Sequence, residues 1–504
     1  MIISKIDFGP IDARNDFTAN TGDSPLTRVF VNPFGIDLDD YVSGRKCFIF
    51  GIKGTGKSTL LRIIKERVEK ISQVEFLYFS DAIKSTEQEA TPDNVDAIPA
   101  SELSEVALGQ PFWRSFFILV IARHIAKNTS GTSTKKFLSY VYTQATGETG
   151  TFRSIVLSVP YLKSWAVGIG AGQSRIELDG EFKRLGDIGL FYNSALALLR
   201  DVNLRKPFYI FLDELEISFS TAEKFEDDVE AAASLIMEVR NLNESFRQNK
   251  IPVFIVCAVR KEVSQKILGQ DAAKIVRDLG YELSWQRPTW SSKSADYYHP
   301  LFEIVLRRIH SSENKGGEHA TWSSLKDIEK KYFNFRGEGW TQKTILDLTT
   351  YRPRDIPALF SRVKEYDGPK ERFDKITFER SIRKGYRDDL WRDFAEALRT
   401  EYSKDEVNLL KKVFFSLPSY FRMADFMRKA DDFSGDPEVA DLLDQIAPQK
   451  WSNCLKDLYE LGAVGWSENN GDEEKIHFHF RGDTDGLQIS RSNFIVKPLG
   501  LRDK

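Results

Sequence analysis

Gly51-Ile52-Lys53-Gly54-Thr55-Gly56-Lys57-Ser58 meets the pattern G-x-x-x-x-G-K-[ST] at every fixed position. The preceding Cys47-Phe48-Ile49-Phe50 reads as a short buried strand. The following residues 59–69, beginning at Thr59, place apolar side chains at helical spacing. Strand, glycine loop and helix in that order aim backbone N–H groups and the positive end of a helix dipole at a polyphosphate. Gly51, Gly54 and Gly56 let the backbone turn tightly and approach phosphate without a Cβ in the way. Lys57 is expected between the β- and γ-phosphates, and the Ser58 hydroxyl on Mg²⁺. Ile52, Lys53, Thr55 and Thr59 complete the expected binding positions. A nucleoside triphosphate is the ligand this segment implies.

Residues 206–216, KPFYIFLDELE, form an apolar run that ends in carboxylates. A buried strand delivering Asp213 and Glu214 at its C-terminal tip has the form of a Walker B element. Asp213 is expected to hold Mg²⁺ through a water, and Glu214 to orient and polarise the attacking water. P-loop kinases and GTPases usually lack that adjacent Glu, and no Asn-Lys-x-Asp guanine motif occurs, so ATP is favoured over GTP. A further strand is expected at Ile251–Arg260, after a helix from Asp227 to Gln248, giving a right-handed crossover unit. Arg260, where that strand leaves the core, reads either as a γ-phosphate sensor or as a plain surface arginine. Residues 346–356, LDLTTYRPRDI, open another helix, with Pro353 expected in its first turn. Arg352 and Arg354 then lie near the helix's positive end, which is unfavourable for cations unless an anion neutralises them. A phosphate-sensing role follows, with pairing to Asp355 or Glu365 as the alternative.

The chain has 504 residues, enough for two to four domains, and a 41% hydrophobic and 29% charged composition typical of soluble globular proteins. The longest apolar run, residues 116–122, is too short to span a bilayer. The first residues show no basic stretch followed by an apolar one, so no secretory signal is expected. Three cysteines (Cys47, Cys257, Cys454), none in a CxxC pair, favour a reducing cytoplasm and no zinc site. The net charge of −3 makes no global case for nucleic acid.

Taken in order, Gly51–Ser58, Phe211–Glu214, Phe254–Arg260 and Tyr351–Asp355 resemble the bacterial stand-alone P-loop ATPases related to the STAND, KAP and initiator-type AAA+ proteins. The resemblance covers most of residues 25–370. It implies a three-layer α/β P-loop NTPase core of the ASCE/AAA+ type with a parallel sheet, a helical lid and a C-terminal winged-helix-like domain. It makes Arg260 the sensor-1 arginine and Arg354 the sensor-2 arginine. It also places Phe30–Pro33, with Asn32, where such proteins pack on adenine. Trp285 and residues 300–309 fit the step leading into the lid. The cofactors implied are ATP and Mg²⁺, and the catalytic set is Glu214, Lys57, Arg260 and Arg354. Many such proteins serve bacterial defence against phages as oligomers beside a separate effector. The long separation of Lys57 from Asp213 implies an insertion, and the Arg-Pro-Arg-Asp wording departs from the usual sensor-2 motif.

The expected organisation is an N-terminal arm over 1–45, an ATPase core over 46–290 with an insertion around 80–180, a helical lid over 291–400 and the winged-helix-like domain over 401–504. In the insertion, residues 104–127 read as a helix whose Trp113, Phe116, Phe117, Val120 and Ile121 pack in a core. A polar loop is expected over 85–100, and a hairpin or mobile loop at the glycine-rich run 166–173. In the last domain, helices at 405–416, 420–430, 437–446 and 448–461 precede a hairpin turning at Asn470-Gly471. That region carries 14 Lys/Arg against 19 Asp/Glu, which favours protein contacts over a phosphate backbone. The expected function is an ATP-binding and hydrolysing switch, oligomeric, acting on a separate partner. The alternative is an ATP-gated DNA-binding initiator-type or regulatory protein.

Overall fold

The structure, a computed structural model, describes residues 1–11, 25–78, 110–145, 188–215, 222–261, 272–286, 298–314, 319–335, 340–381, 385–399, 402–433, 448–470, 473–481, 486–488 and 494–502. The expected loop at 85–100, the glycine-rich run 166–173 and the helix at 437–446 lie outside them. The chain divides into two compact units. One comprises Asp37–Ile52 and Lys57–Leu283, the other Met1–Ile36, Lys53–Gly56 and Ser284–Lys504.

The first of these units is a sheet with helices. Its elements run β1 (Phe48–Gly51), α1 (Lys57–Glu69), β2 (Gln73–Tyr78), α2 (Gln110–Asn128), α3 (Thr132–Ala145), α4 (Ile188–Arg200), β3 (Phe208–Leu215), α5 (Ala222–Gln248), β4 (Val253–Arg260), α6 (Ala272–Leu279) and β5 (Gly280–Glu282). The strands are parallel and ordered β2-β3-β4-β1-β5. Crossovers between parallel strands are right-handed, so the direction of each step across the sheet fixes the face of its connection. The step β1 to β2 runs one way, and the steps β2 to β3, β3 to β4 and β4 to β5 run the other. That puts α1 on one face and α2, α5 and α6 on the opposite face. The result is a three-layer α/β core of P-loop type, as the sequence led us to expect.

Burial explains why these stretches take these forms. Phe48, Ile49 and Phe50 are all buried, as are Phe208 to Leu212, because central parallel strands are covered on both faces. In α1, Leu60, Leu61, Ile63, Ile64 and Val68 form a single buried stripe. Helix α2 is different: Trp113 and all residues from Ser115 to Ala122 are buried, so it runs through the core rather than along its surface. The expected aromatic set of Trp113, Phe116, Phe117, Val120 and Ile121 is therefore core. Among the described residues between β2 and β3 are α2, α3 and α4, which share this hydrophobic cluster.

The second unit is mainly helical. Its elements are α7 (Pro300–Glu313), α8 (Trp322–Tyr332), α9 (Trp340–Leu348), α10 (Asp355–Asp367), α11 (Lys375–Ser381), α12 (Arg387–Leu398), α13 (Lys404–Ser416), β6 (Tyr420–Phe421), α14 (Met423–Asp432), α15 (Pro448–Glu460), β7 (Gly465–Asn470), β8 (Glu473–His477) and β9 (Phe494–Val496). The last strands form a sheet of order β6-β9-β7-β8, with antiparallel pairs. Asn470 is the final residue of β7, opposite Glu473, so the connection is 471–472 rather than the expected Asn470-Gly471 pair. Residues 420–421 form a strand where a helix from 420 was expected, and that helix starts at Met423.

In the expected N-terminal arm, Ile3, Ile6 and Phe8 are buried in the helical unit's core. Phe8 stacks on Phe360 with centroids 4.1 Å apart, and Ile3 N donates to Lys370 O. One hydrophobic cluster includes residues from Ile3 to Leu501, on both sides of residue 400. Trp391 of α12 stacks on Phe414 of α13 at 5.2 Å.

Candidate phosphate-binding site

The glycine loop leaves β1 at Gly51, whose Cα partner on the neighbouring strand is Arg260, the last residue of β4. Sheet register thus sets the strand-end arginine beside the first loop glycine. Gly54 and Gly56 have φ of +86° and +92°, in the left-handed region that side-chain-bearing residues avoid. Helix α1 begins at Lys57, two residues earlier than periodicity indicated, so Lys57, Ser58 and Thr59 occupy its first turn. The N–H groups of that turn have no intrahelical acceptor and carry the positive end of the helix dipole. The Lys57 ammonium donates to Gly51 O at 2.8 Å and to Ile52 O at 3.0 Å, folded over its own loop.

Ser58 Oγ donates to Asp213 Oδ1 at 3.1 Å, joining two residues 155 positions apart in the chain. Asp213 is only 2% exposed. Its strand carries a bulge: Leu212 pairs with Cys257 and Leu215 with Val259, so one extra residue is accommodated at Asp213–Glu214. A bulge re-aims side chains at the end of a strand, and nothing in the sequence pattern signals it. The backbone of Glu214 lies in β3 directly after Asp213, and its side chain lies outside the described residues.

Among the described residues no cluster of three His, Cys, Asp or Glu side chains could cage a metal. The Ser58–Asp213 pair nevertheless fits Mg²⁺, which prefers hard oxygen donors, takes one or two protein ligands and completes its shell with water and phosphate oxygens.

The crest of the loop, Lys53–Gly56, groups with the helical unit and is held there by several contacts. The Trp285 indole N–H donates to Thr55 O at 2.8 Å, Arg354 N donates to Gly54 O at 3.3 Å, and the Lys53 ammonium pairs with Glu396. Arg352 and Arg354 flank this crest, and a Cβ at Gly54 would meet Arg354 Cβ at 3.1 Å. The two arginines differ in environment. Arg352 is 4% exposed and pairs with Asp355 at 3.0 Å, while Asp355 also accepts from Thr350 N at 2.7 Å and Thr350 Oγ1 at 2.9 Å. Burial works against the charge on Arg352, but Asp355 and Asp393 hold its pKa above the ordinary arginine value. Arg354 is 25% exposed and lies 3.7 Å from Asp393.

Arg352 pairs with Asp355, one of the two acids its sequence reading held open as partners, and lies 3.7 Å from Asp393. Glu365, the other acid considered, pairs with Arg362. Pro353 precedes the N-cap, Arg354, so it lies outside α10 rather than in its first turn. Asn32 spends its amide on Ile36 O at 2.7 Å, closing a local turn. The sequence reading singled out Trp285 only for its place after β5, and it missed Asp393 and Glu396, whose α12 reads as an ordinary charged helix.

No protein-family model matches the chain, and no curated protein sequence matches it. Among solved structures it is similar to the Orc1 protein of Aeropyrum pernix in complex with DNA, at 12% identity and a TM-score of 0.33 over 89% of this chain and 90% of that one. It is also similar to Cdc6p of Pyrobaculum aerophilum, at 13% identity and a TM-score of 0.28 over 91% of this chain and 94% of that one. Both scores fall below 0.5, so the fold and the site stand on the chain's own sheet order and contacts.

Proposed function

We propose that the chain binds ATP on the loop Gly51–Ser58 and hydrolyses it. The observation that carries this reading is the Ser58–Asp213 hydrogen bond, which brings the loop's hydroxyl to the acidic tip of a second strand. Backbone N–H groups of the loop and first turn of α1 bind the β- and γ-phosphates, and Lys57 exchanges its loop carbonyls for phosphate oxygens. Ser58 and Asp213 would hold Mg²⁺, which supplies charge neutralisation at the β- and γ-oxygens. Glu214 orients the attacking water and accepts its proton, and Arg260 and Arg354 stabilise charge on the γ-phosphoryl group. Cycles of binding and hydrolysis then drive a conformational switch or self-assembly. Glu214→Gln should lower turnover by orders of magnitude while ATP binding persists, whereas Lys57→Ala should lose both. A Glu214→Gln protein that hydrolyses ATP at the wild-type rate sinks this reading.

A second reading concerns the partner. The order α13, β6, α14, α15, β7, β8 supports a winged-helix-like module, a scaffold able to present a helix and a hairpin to duplex DNA. In this reading ATP gates DNA association, and duplex binding should fall steeply with added salt. Absence of binding at low salt, with and without ATP, removes it. No described residue speaks for a phage-defence setting or a separate effector, and neither is proposed.

A further inference from the structure

We infer that Asp393 and Glu396 of α12 form a carboxylate latch on the crest of the phosphate loop, competing with the triphosphate for Arg354 and Lys53. This rests on the loop being the ATP site. Asp393 and Glu396 are three positions apart on one helix and so share a face. Glu396 engages Lys53 and Asp393 engages Arg354, the two crest cations that retain access to solvent, at 20% and 25% exposure. The third cation, Arg352, is not available for exchange, being buried against Asp355 and stacked over the Phe394 ring at 5.3 Å.

The contrast between the two arginines sets the direction of exchange. The Arg354 backbone is tied to Gly54 O and serves as the N-cap of α10, so its position is fixed while its guanidinium can change partner. Its contact with Asp393, at 3.7 Å, is longer than a hydrogen bond. A phosphate oxygen accepting two guanidinium N–H groups makes a shorter, charge-assisted pair and prevails. Lys53 faces the same choice between Glu396 and phosphate. Once both cations turn to the ligand, Glu396 loses its pair with Lys53 and Asp393 keeps its 3.7 Å contact with Arg352 but loses Arg354, beside added negative charge, which favours separating α12 from the crest. Trp391 of the same helix stacks on Phe414 of α13, so this release reaches the start of the C-terminal module. Nucleotide occupancy would be reported there through α12.

The test is equilibrium binding of a fluorescent ATP analogue with Mg²⁺ to the full-length chain, wild type and variants. Asp393→Asn/Glu396→Gln should bind at least about threefold more tightly, and Glu396→Gln alone, an isosteric change at a half-exposed side chain, should show part of the gain. Asp388→Asn, on the same helix but paired with Lys411, serves as the control for general charge removal and should show none. In an Arg354→Ala background the gain from Asp393→Asn should vanish. Equal gains from Asp388→Asn and from the latch variants would overturn the latch, as would no gain from either latch variant while Lys57→Ala abolishes binding. Unchanged binding by Lys57→Ala would remove the site reading and the latch with it.

Discussion

Replacing Asp213 by Asn separates what this residue does for the fold from what it does for the ligand. The substitution keeps shape and removes one negative charge from a side chain that is 2% exposed and accepts a hydrogen bond from Ser58. For the fold, the bond from Ser58 weakens from a charge-assisted to a neutral one, a loss of about 1 kcal/mol. A buried carboxylate also carries a desolvation penalty of several kcal/mol, which Asn avoids. The two effects oppose one another and the second is the larger, so Asp213→Asn without ligand should be as stable as wild type or more so. For the ligand, losing a group that organises a metal's shell lowers metal affinity about 10- to 100-fold. At ATP and Mg²⁺ of 100 times the wild-type Kd, bound ligand stabilises the protein by about 2.7 kcal/mol. A 10-fold weaker site retains about 1.4 kcal/mol of that, and a 100-fold weaker one about 0.4 kcal/mol. The assay is chemical denaturation with and without Mg²⁺-ATP at these fixed concentrations. Equal Mg²⁺-dependent stabilisation in wild type and Asp213→Asn would refute the reasoning, because Ser58 and Asp213 could then not share a metal.

Further outcomes follow from other parts of the molecule. Gly54→Ala should cost about 1–3 kcal/mol from its φ of +86° alone and should weaken ATP binding as the crest shifts away from Arg354; denaturation and binding titrations check both, and wild-type values in both would contradict the strained loop. Lys497 is fully buried, donates to Leu417 O at 2.6 Å, and burial, aided by the Arg387 charge, pushes its pKa down to about 7. Between that value and the ordinary lysine value of 10.5, the unfolded chain binds more protons than the folded one, so this lysine makes stability rise with pH. Below about pH 7 its penalty is fully developed and flat. Lys497→Met should remove the rise between pH 7 and 9, measured as the wild-type-minus-variant difference in unfolding free energy; a difference that is constant with pH would exclude the effect.

Much of the core was legible in the chain because its signals are local. The glycine loop is a contiguous pattern, the central strands are continuous apolar runs, and α1 and α5 are periodic. Each of these is set by hydrogen bonding and burial among near neighbours. Boundaries shifted, by two residues for α1 at Lys57, three for α14 at Met423 and five for α5 at Ala222, where caps and turns rather than periodicity end an element. Burial could also be expected for the aromatic residues of α2, since nothing else accommodates so many large apolar side chains on one short segment.

The chemistry of the loop was less legible, since it depends on partners distant in sequence. Periodicity identifies Arg352 and Arg354 as near equals, yet one is locked to Asp355 in the interior and the other meets Asp393 near solvent. Asn32 is spent on its own turn, and Ile3, Ile6 and Phe8 enter a core built from residues some 300 or more positions later. Composition states which residues can ionise or bury; it carries no record of which of them the chain's crossings bring together. The phosphate cradle could be read from eight consecutive letters, because a left-handed glycine and a helix start are properties of neighbours. The acidic tip at Asp213 could be read from its apolar run, but its bond with Ser58 and the α12 carboxylates Asp393 and Glu396 beside the loop crest could not, because sheet register, a bulge in β3 and the docking of α12 decide these contacts only once distant segments have packed.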